Sequence, residues 1–489
     1  MMAEQNYNEL PERWIWTTLK EIIKVRNGYA FSSSDYRENG VLLVRQTNLS
    51  GDRVVLDNAI FLPKDYLSKY QEYEITKGDI LVGMSGSIGK ICVYEYDEPA
   101  LQNQRTGLLQ FYESSTKHYV RYYFLILSSH FEKLAKGVAV QNISAKEIES
   151  VELPLPPLPE QQRIVAKIEE LFTDLDAGVA ALKQIQVQLK RYRQSVLKTA
   201  FEGKLTADWK KHQGDGKRET GAELLERIRE ERKKRLGSKY KEPTPIDTSE
   251  LPELPEGWVW ARISDICDVV RGGSPRPAGD SRYYNGTIPF LKVADLTKDN
   301  NIYLNSFEFT IKEAGLRKTR QIHPNTLLLT NSGATLGVPK ICMIEATMND
   351  GIAALLNLDD CSNLYIYYFW QTKTKELRNI NQGAAQPNLN TTLIKDVIFP
   401  ITSFEEQERI AMDIDRYFSV ADAIEKTVEE SLAQSERLRQ SILKKAFEGK
   451  LVPQDPTDEP AEKLLERIKA EREKCNQKGK RKTIKGNID

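Results

Sequence analysis

The sequence has few of the residues and motifs from which enzyme activity is usually inferred. Its 489 residues include five cysteines without a CxxC pair, and its four histidines are scattered without the spacing of metal ligands. The motifs GxGxxG, HExxH and GxSxG do not occur. The sequence therefore offers no zinc site, no disulfide framework and no recognisable catalytic nucleophile.

Net charge and long apolar runs are missing as well. The 70 basic residues balance the 70 acidic ones, so overall charge predicts neither a polyanion-binding nor a membrane-surface protein. The first residues, MMAEQNYNELPERW, do not resemble a signal peptide, and no apolar run approaches the ~18 residues that a membrane span needs. We expect a cytoplasmic protein of two or three domains, with no membrane partner.

The chain contains two copies of one pattern. PERWIWTTLKEI from Pro11 returns as PEGWVWARISDI from Pro255, 244 residues later. RQSVLKTAFEGKL (193–205) returns as RQSILKKAFEGKL (439–451), and AELLERI returns as AEKLLERI. Because this period is too long for a solenoid, each copy is expected to be a complete unit, a globular domain followed by a helical arm.

The copies differ most at polar positions of the globular parts. Gln46 and Asn48 in VRQTNL stand where LKVADL has Val293 and Asp295. Similar arms suggest a common partner for both copies, whereas dissimilar globular surfaces suggest two different ligands.

Each arm has an apolar residue at every third or fourth position, which is typical of a coiled-coil seam. About 40 residues at 1.5 Å rise give a rod on the order of 60 Å. We predict that the two seams pack against each other in an antiparallel coiled coil; the alternative is that each packs on its own globular domain. Gly203 and Gly449 are predicted caps of the two arms. The predicted seam residues are Ile164, Ile168, Leu171, Leu175, Leu182, Ile185, Leu189, Val196, Ile410, Ile414, Ile424, Val428, Leu438 and Ile442.

Strand-like and helical segments alternate in the globular parts and predict two mixed α/β domains, an α+β fold overall. The aromatic stretches 119–127 and 365–370 predict core helices, with base stacking as the alternative. GMSGSIGK (83–90) resembles a phosphate loop, but five residues separate its outer glycines where four are required, so we interpret it as a structural turn. The predicted strands are 40–45, 79–83, 288–293 and 326–330.

Polar, glycine-flanked loops occur at matching places in both copies. Forked Arg, Asn and Gln side chains distinguish guanine and adenine edges in the major groove of DNA, although for any single residue a solvated loop surface is the simpler interpretation. The predicted DNA-binding residues are Arg26, Arg45, Gln46, Asn48, Ser85, Ser87, Lys90, Gln102, Asn103, Arg105, Arg271, Ser274, Arg276, Lys292, Asp295, Asn331, Ser332 and Lys340.

These residues resemble a known family, the specificity subunits of type I restriction and modification systems. The resemblance lies in the openings LPERWIW and LPEGWVW, in PLPPLPEQQRIVAKIEELF, in YRQSVLKTAFEGKLT with Trp209 just beyond, and in the AELLERI repeats. It extends over almost the whole chain. Ser431 and Ser435 interrupt the second seam, and the tail KGKRKTIKGNID is a possible contact with DNA or a partner.

The resemblance implies a noncatalytic DNA reader. Two target-recognition domains would each read one half of a bipartite asymmetric double-stranded site, and the paired arms would hold them apart. Two DNA adenine methyltransferase subunits and restriction/translocase subunits would be the protein partners. This chain would hold no cofactor, since S-adenosylmethionine, ATP and Mg are expected on the partner subunits. Candidate contacts to the methyltransferase subunits are Arg193, Phe201, Lys204, Arg439, Phe447 and Lys450.

The resulting domain prediction divides the chain into six segments. A protein-binding coiled-coil adapter without DNA recognition, and a methyltransferase acting alone, are the alternatives. The segments are a first recognition domain (1–155), a first spacer helix (156–206), a charged central linker (207–250), a second recognition domain (251–401), a second spacer helix (402–452) and a C-terminal helix with a basic tail (453–489).

Overall fold

The structure is a computed structural model that describes residues 10–135, 142–212, 218–332, 335–358, 360–380 and 389–485. The first globular part comprises β1 (Ile15–Thr18), α1 (Leu19–Ile22), β2 (Ile23–Asn27), β3 (Val41–Val44), β4 (Leu49–Ser50), β5 (Arg53–Val54), β6 (Phe61–Leu62), α2 (Tyr66–Lys69), β7 (Glu74–Ile75), β8 (Ile80–Gly83), β9 (Ile91–Val93), β10 (Ala100–Gln102), β11 (Thr106–Phe111), α3 (Lys117–Ala135), α4 (Ala145–Glu149) and β12 (Glu152–Leu155).

Three helices follow it, namely α5 (Leu158–Phe201), α6 (Ala207–His212) and α7 (Gly221–Leu236). The second globular part comprises β13 (Val259–Arg262), α8 (Ile263–Ile266), β14 (Asp268–Arg271), β15 (Tyr284–Leu291), α9 (Val293–Thr297), β16 (Tyr303–Leu304), β17 (Phe309–Ile311), α10 (Glu313–Leu316), β18 (Arg320–Ile322), β19 (Thr326–Thr330), β20 (Pro339–Cys342), β21 (Ala346–Met348), β22 (Ile352–Leu356), α11 (Asn363–Ile380), α12 (Thr391–Lys395) and β23 (Ile398–Ile401). The described chain then ends with α13 (Phe404–Phe447) and α14 (Ala461–Lys485).

The two globular parts share one sheet topology, except that the largest sheet has six strands in the first part and five in the second. In the first, the sheets have the strand orders β1-β12, β6-β3-β10-β7 and β2-β11-β8-β9-β5-β4. In the second, the orders are β13-β23, β17-β15-β21-β18 and β14-β22-β19-β20-β16. Parallel pairing joins β10 to β3 and β21 to β15, and the mixed α/β prediction is confirmed together with its four strands.

The aromatic stretches belong to the cores, as predicted. Tyr119 and Phe124 of α3 are buried, and so are Tyr365 and Trp370 of α11. GMSGSIGK is a turn between two antiparallel strands, in which the backbone N–H of Gly83 donates to the carbonyl of Lys90 at 2.8 Å. A phosphate loop would instead lead into a helix, so the interpretation as a structural turn is confirmed.

The chain divides into two compact units, each built from both copies of the sequence pattern. One unit contains residues 1–182 and 430–489, and the other contains residues 183–429. The divisions fall inside α5 and α13, so each long helix contributes to both units. The first domain therefore packs with the end of the second arm, and the second domain packs with the end of the first arm.

A glycine turn ends each arm against the opening of the other copy's domain. Gly203 and Gly449 both have φ of 68°, and the N–H groups of the lysines after them bond five residues back, as in a Schellman motif. A Cβ on Gly203 would lie 2.3 Å from Cγ of Pro255, and one on Gly449 would lie 2.4 Å from Cγ of Pro11. Glycine is thus required twice, for the left-handed backbone and for the close approach.

The phenylalanine of each FEGKL segment packs on the aromatic core helix of the same unit. The Phe447 ring lies 5.1 Å from Tyr119 and 5.0 Å from Tyr123, between ring centroids. The Phe201 ring lies 5.1 Å from Tyr365 and 5.5 Å from Phe369. The near identity of the two arm ends thus has an internal cause, because each closes the core of a domain.

We call the contact between an arm end and the opening of the other copy's domain a junction. On its other side, each junction contains a hydrogen bond between a tryptophan and a buried glutamate. Nε1 of Trp14 donates to Glu160 at 3.0 Å, and Nε1 of Trp258 donates to Glu406 at 3.0 Å. Glu406 also pairs with the ammonium of Lys210 at 2.9 Å. Glu160 instead accepts a bond from Gln454, and burial raises the pKa of its carboxyl more than these hydrogen bonds lower it.

Charged contacts between α5 and α13 establish that the arms are antiparallel. Arg439 pairs with Asp176, and Arg193 pairs with Asp422 at 2.5 Å and with Glu425 at 2.8 Å. The later residue of α5, Arg193, therefore pairs with the earlier residue of α13, and the earlier residue of α5 pairs with the later one. This order confirms the predicted antiparallel coiled coil.

The seam is narrower than predicted. Ile424 and Leu438 are 42% and 48% exposed, so assigning these two residues to the seam was wrong. Val428 and Ile442 are buried, and they follow Ala421 at intervals of whole heptads, so one position per heptad points inward here. The seam ends belong to the domain cores, where Ile164, Ile168, Ile410 and Ile414 are buried. The mutual coiled coil and the packing of arms on domains thus occur together.

Phe447→Ala should destabilise the unit that contains the first domain by about 3 to 5 kcal/mol, because it leaves a cavity among Tyr119 and Tyr123. Leu438→Ala on the same helix is the matched control and should change stability by no more than about 0.5 kcal/mol, since Leu438 is half exposed. Denaturant unfolding of the full chain compares the two variants. Equal effects would contradict this account of the junction.

The stability of the same unit should decline as pH rises from the ordinary titration range of glutamate through the raised pKa of Glu160. In this window the folded state holds a proton that the unfolded state has lost, so raising the pH favours unfolding. Glu160→Gln should flatten that part of the profile, measured as unfolding midpoints from about pH 4 to 7.5.

Glu406→Gln is the comparison in the other unit, because it leaves the ammonium of Lys210 without its buried carboxylate and should lower the unfolding midpoint of that unit. If Glu160→Gln kept the full pH dependence, the buried carboxyl would not be its cause.

Candidate nucleic-acid interface

In the first domain, four loops at the ends of strands converge on one edge. The N–H of Met84 donates to the carbonyl of Arg105 at 3.0 Å, and the N–H of Asn103 donates to that of Val44 at 3.1 Å. The N–H of Tyr29 donates to the carbonyl of Gln102 at 3.0 Å. The loops after β2, β3, β8 and β10 are therefore neighbours, and they contain the candidates of this domain except Arg26 and Gln102, which lie at the ends of β2 and β10.

Arg26 and Gln102 form the base of this edge. Nε of Arg26 donates to the side-chain oxygen of Gln102 at 3.1 Å, and the amide of Gln102 donates to the carbonyls of Arg26 and Thr106. Burial lowers the pKa of Arg26, although Asp79 and Glu72 oppose the shift. Both side chains therefore hold neighbouring strands together, with Arg26 also donating to the carbonyl of Glu74.

Six of the predicted DNA-binding residues are buried, and for these the prediction was wrong. A side chain that is covered by its neighbours in this way is not available to a base edge. Asn48 and Asp295 instead cap the turns after β3 and β15, and the ammonium of Lys340 lies against Asp299 at 2.8 Å. The six are Asn48, Gln102, Asn103, Asp295, Asn331 and Lys340.

Other candidates of the first domain are exposed or half-buried along its edge. Lys90 and Arg105 are exposed. Arg45, Gln46, Ser85 and Ser87 are half-buried, and the side chain of Gln46 lies against Gly86 between the two serines. Hydrogen-bonding groups from two loops thus meet at one place.

An aromatic cluster adjoins this edge and was missed by the sequence analysis. Tyr29 lies 4.9 Å from Phe31, 4.8 Å from Tyr70 and 5.3 Å from Tyr73, between ring centroids, and Tyr29 is 38% exposed. The signal was present in YAF and in the tyrosines of 66–73, but these rings come together only through the sheet β6-β3-β10-β7.

The matching edge of the second domain has different chemistry. Asp350, in the turn between β21 and β22, accepts bonds from Arg271, Ser274 and Arg276. Its first-domain counterpart is the turn between β10 and β11, with Asn103 and Arg105. Asp350 was not a sequence candidate. It is an isolated acidic residue in NDG, and its partners lie more than 70 residues earlier in the chain.

Arg276 and Lys292 line a cavity of about 360 Å³ at this edge, together with Ser274. The ammonium of Lys292 lies 3.1 Å from the centre of the Phe309 ring, a cation–π contact. Arg271 is exposed and Ser332 is half-buried beside Gly351. The end of β14 and the loops after β14, β15 and β19 thus supply the candidates that remain in the second domain.

The candidates for methyltransferase contact have mostly internal partners. Arg193 and Arg439 pair across the arms, and Phe201 and Phe447 pack on core helices. The four contacts explain these residues without a partner protein. Lys204 and Lys450 have side chains that are 70% and 68% exposed, next to Glu202 and Glu448, and they remain predicted contacts.

Across the residues that the structure describes, no three His, Cys, Asp or Glu side chains lie together as a metal site. The described helices also include none that is long and apolar enough to cross a membrane.

Comparison with known proteins gives one consistent result. The family model described as type I restriction modification DNA specificity domain matches residues 11–191 and 255–434. The EcoBI specificity subunit of Escherichia coli is 29% identical over 504 aligned residues, which span 96% of this chain and 95% of that protein. The EcoKI specificity subunit of Escherichia coli K12 is 23% identical, with 95% and 96% of the two chains aligned.

Solved structures share the fold. A chain from a study of complex assembly and conformational transition of the type I R-M system aligns with a TM-score of 0.62 at 19% identity, over 91% of this chain and 100% of that one. The HsdS subunit from Thermoanaerobacter tengcongensis aligns with a TM-score of 0.52 at 19% identity, over 91% and 99%. Because the family model matches both copies of the repeat, this chain belongs to the type I restriction modification DNA specificity family.

Proposed function

We propose that this chain is the noncatalytic subunit that selects the DNA sequence for a type I restriction and modification complex. Each globular domain reads one half of a bipartite asymmetric site. The domains then present the intervening DNA to the subunits that modify or cut it.

One observation carries this proposal, namely the contrast between the junctions and the loop edges. The junctions use the same Gly, Pro, Phe, Trp and Glu contacts in both units. The loop edges instead present an aromatic cluster and the amide of Gln46 in the first domain, and an Asp350-centred charged cluster in the second. A scaffold repeated with two different surfaces is what recognition of two different half-sites requires.

The repeated arms support two identical protein partners. Lys204 and Lys450 follow equivalent glycine turns and are similarly exposed. Two copies of the methyltransferase subunit, one at each junction, would therefore contact the same kind of surface. We place S-adenosylmethionine, ATP and Mg on the methyltransferase and restriction subunits. The complex is expected to act in the cytoplasm, where chromosomal DNA is accessible, and the partner subunits supply phosphate contacts that this electrically neutral chain lacks.

Replacing residues 17–150 with the corresponding domain of a relative should change one half of the modified sequence and leave the other half unchanged. A map of modified bases in cells that express the exchanged chain with its methyltransferase subunits measures this. Exchange of residues 261–400 is the matched control and should change the opposite half. If neither exchange altered the map, the chain would be a protein-binding adapter.

Removing one heptad from each arm should shorten the spacer between the half-sites and leave their bases unchanged. The pairs Arg193 with Asp422 and Arg439 with Asp176 set which heptads oppose each other, so residues 178–184 and 431–437 are removed together. Seven residues correspond to about 10.5 Å of helix, or roughly three base pairs of DNA.

Removing five residues from each arm is the control, because it rotates the seam by about 140° and should abolish modification. The same map of modified bases serves for both deletions. An unchanged spacer after the heptad deletion would reject the role of the arms in setting it.

A further inference from the structure

The second-domain cavity combines charged side chains with an aromatic wall. It has a volume of about 360 Å³, and Tyr284, Phe290 and Phe309 line it together with Arg276 and Asp350. It opens on the edge where the loops after β14 and β15 meet the turn between β21 and β22. A group from a ligand that approaches this edge would meet Arg276 and Asp350 together.

Asp350 is fixed in place by three contacts from the end of β14 and the loop that follows it. Its main-chain carbonyl accepts from Nε of Arg271 at 2.7 Å, and its carboxylate accepts from the hydroxyl of Ser274 at 2.6 Å. The second carboxylate oxygen lies 3.2 Å from a guanidinium nitrogen of Arg276. The hydrogen bond from Ser274 is the main reason that the pKa of Asp350 is lowered, so the carboxylate is ionised at neutral pH.

Arg276 is oriented by this carboxylate but remains open to solvent. Its side chain is 71% exposed, and Asp350 is the hydrogen-bond partner that the described residues supply. A guanidinium has five N–H donors, of which this contact uses one. An ion pair so exposed contributes little to the stability of the fold, and its guanidinium is accessible to a ligand.

We infer that Arg276, positioned by Asp350, recognises the guanine of a G·C base pair in the half-site of the second domain. This inference rests on the proposed function. Guanine presents two acceptors, O6 and N7, in the major groove, and the fork of a guanidinium matches both. The cytosine of the same pair presents an N4 amino donor, which suits the neighbouring carboxylate.

A phosphate is a poorer ligand for the same pair. The carboxylate of Asp350 would repel a phosphate that approached Arg276, whereas the edge of a base pair bears no net charge. At the corresponding turn of the first domain, the side chain of Asn103 accepts a bond from the backbone of Arg105. The inferred contact therefore concerns the second half-site alone.

The test uses the full chain assembled with its methyltransferase subunits. Once a map of modified bases has identified the site, methylation rates are measured on duplexes in which each base pair of the two half-sites is replaced in turn. Arg276→Ala and Arg276→Lys should each lower discrimination at one G·C pair of the second half-site by about 10- to 100-fold. Discrimination within the first half-site should not change.

Asp350→Asn and Arg282→Ala complete the set. Asp350→Asn should weaken discrimination at the same G·C pair, because it removes the charge that orients Arg276. Arg282 also pairs with an aspartate, Asp280, at 2.6 Å on the same loop, and it lies outside the described lining of the cavity. Arg282→Ala should therefore leave discrimination at every position unchanged.

Two results would overturn the inference. One is full discrimination by Arg276→Ala, and the other is an equal loss of rate on every duplex, which is the behaviour of a phosphate contact. Failure of the proposed function looks different, because the native complex would then show no preference among the duplexes. Arg276→Lys keeps the positive charge at an exposed position, so a loss of discrimination in that variant is not a loss of folding.

Discussion

The rest of the structure depends on a close approach between a glycine turn and a proline. At Gly203 and Gly449 the chain turns in a left-handed conformation, and each turn lies directly on the proline that opens the other copy's domain. Neither glycine tolerates a Cβ, so both the residue type at the turn and its distance from the proline are fixed. The phenylalanines and the Trp–Glu pairs around the turns then close the two domain cores.

This constraint separates two kinds of position in the sequence. Residues of the junction have partners inside the same unit, so both copies keep the same residue types there. Residues at the loop edges have few such partners, and in these places the copies differ. A duplicated chain can therefore retain one scaffold while it presents an aromatic cluster in one domain and the surroundings of Asp350 in the other.

Much of the fold could be predicted from the sequence, because the repeat and the heptads are local patterns. The paired arms and their glycine caps followed from them, whereas the core helices followed from the aromatic stretches and the antiparallel orientation was predicted with the help of the long linker. The site was harder, since residue type does not reveal exposure: Lys340 is buried beside Asp299, and Asn48 caps a turn. Asp350 and its partners come together only through strand pairing. The exposed Ile424 and Leu438 show likewise that a heptad pattern does not fix how wide a seam is.

The exchange of arm ends between copies has a consequence for synthesis of the chain. The first domain is complete in sequence by β12, yet its core includes Ile442, Leu443 and Phe447 of α13 and Leu464 of α14. At ribosomal rates of about 5 to 20 residues per second, these segments emerge on the order of half a minute later. Until then the aromatic face of α3 lacks the part of its packing that α13 and α14 supply, so the core of the first domain is completed only by late, long-range contacts.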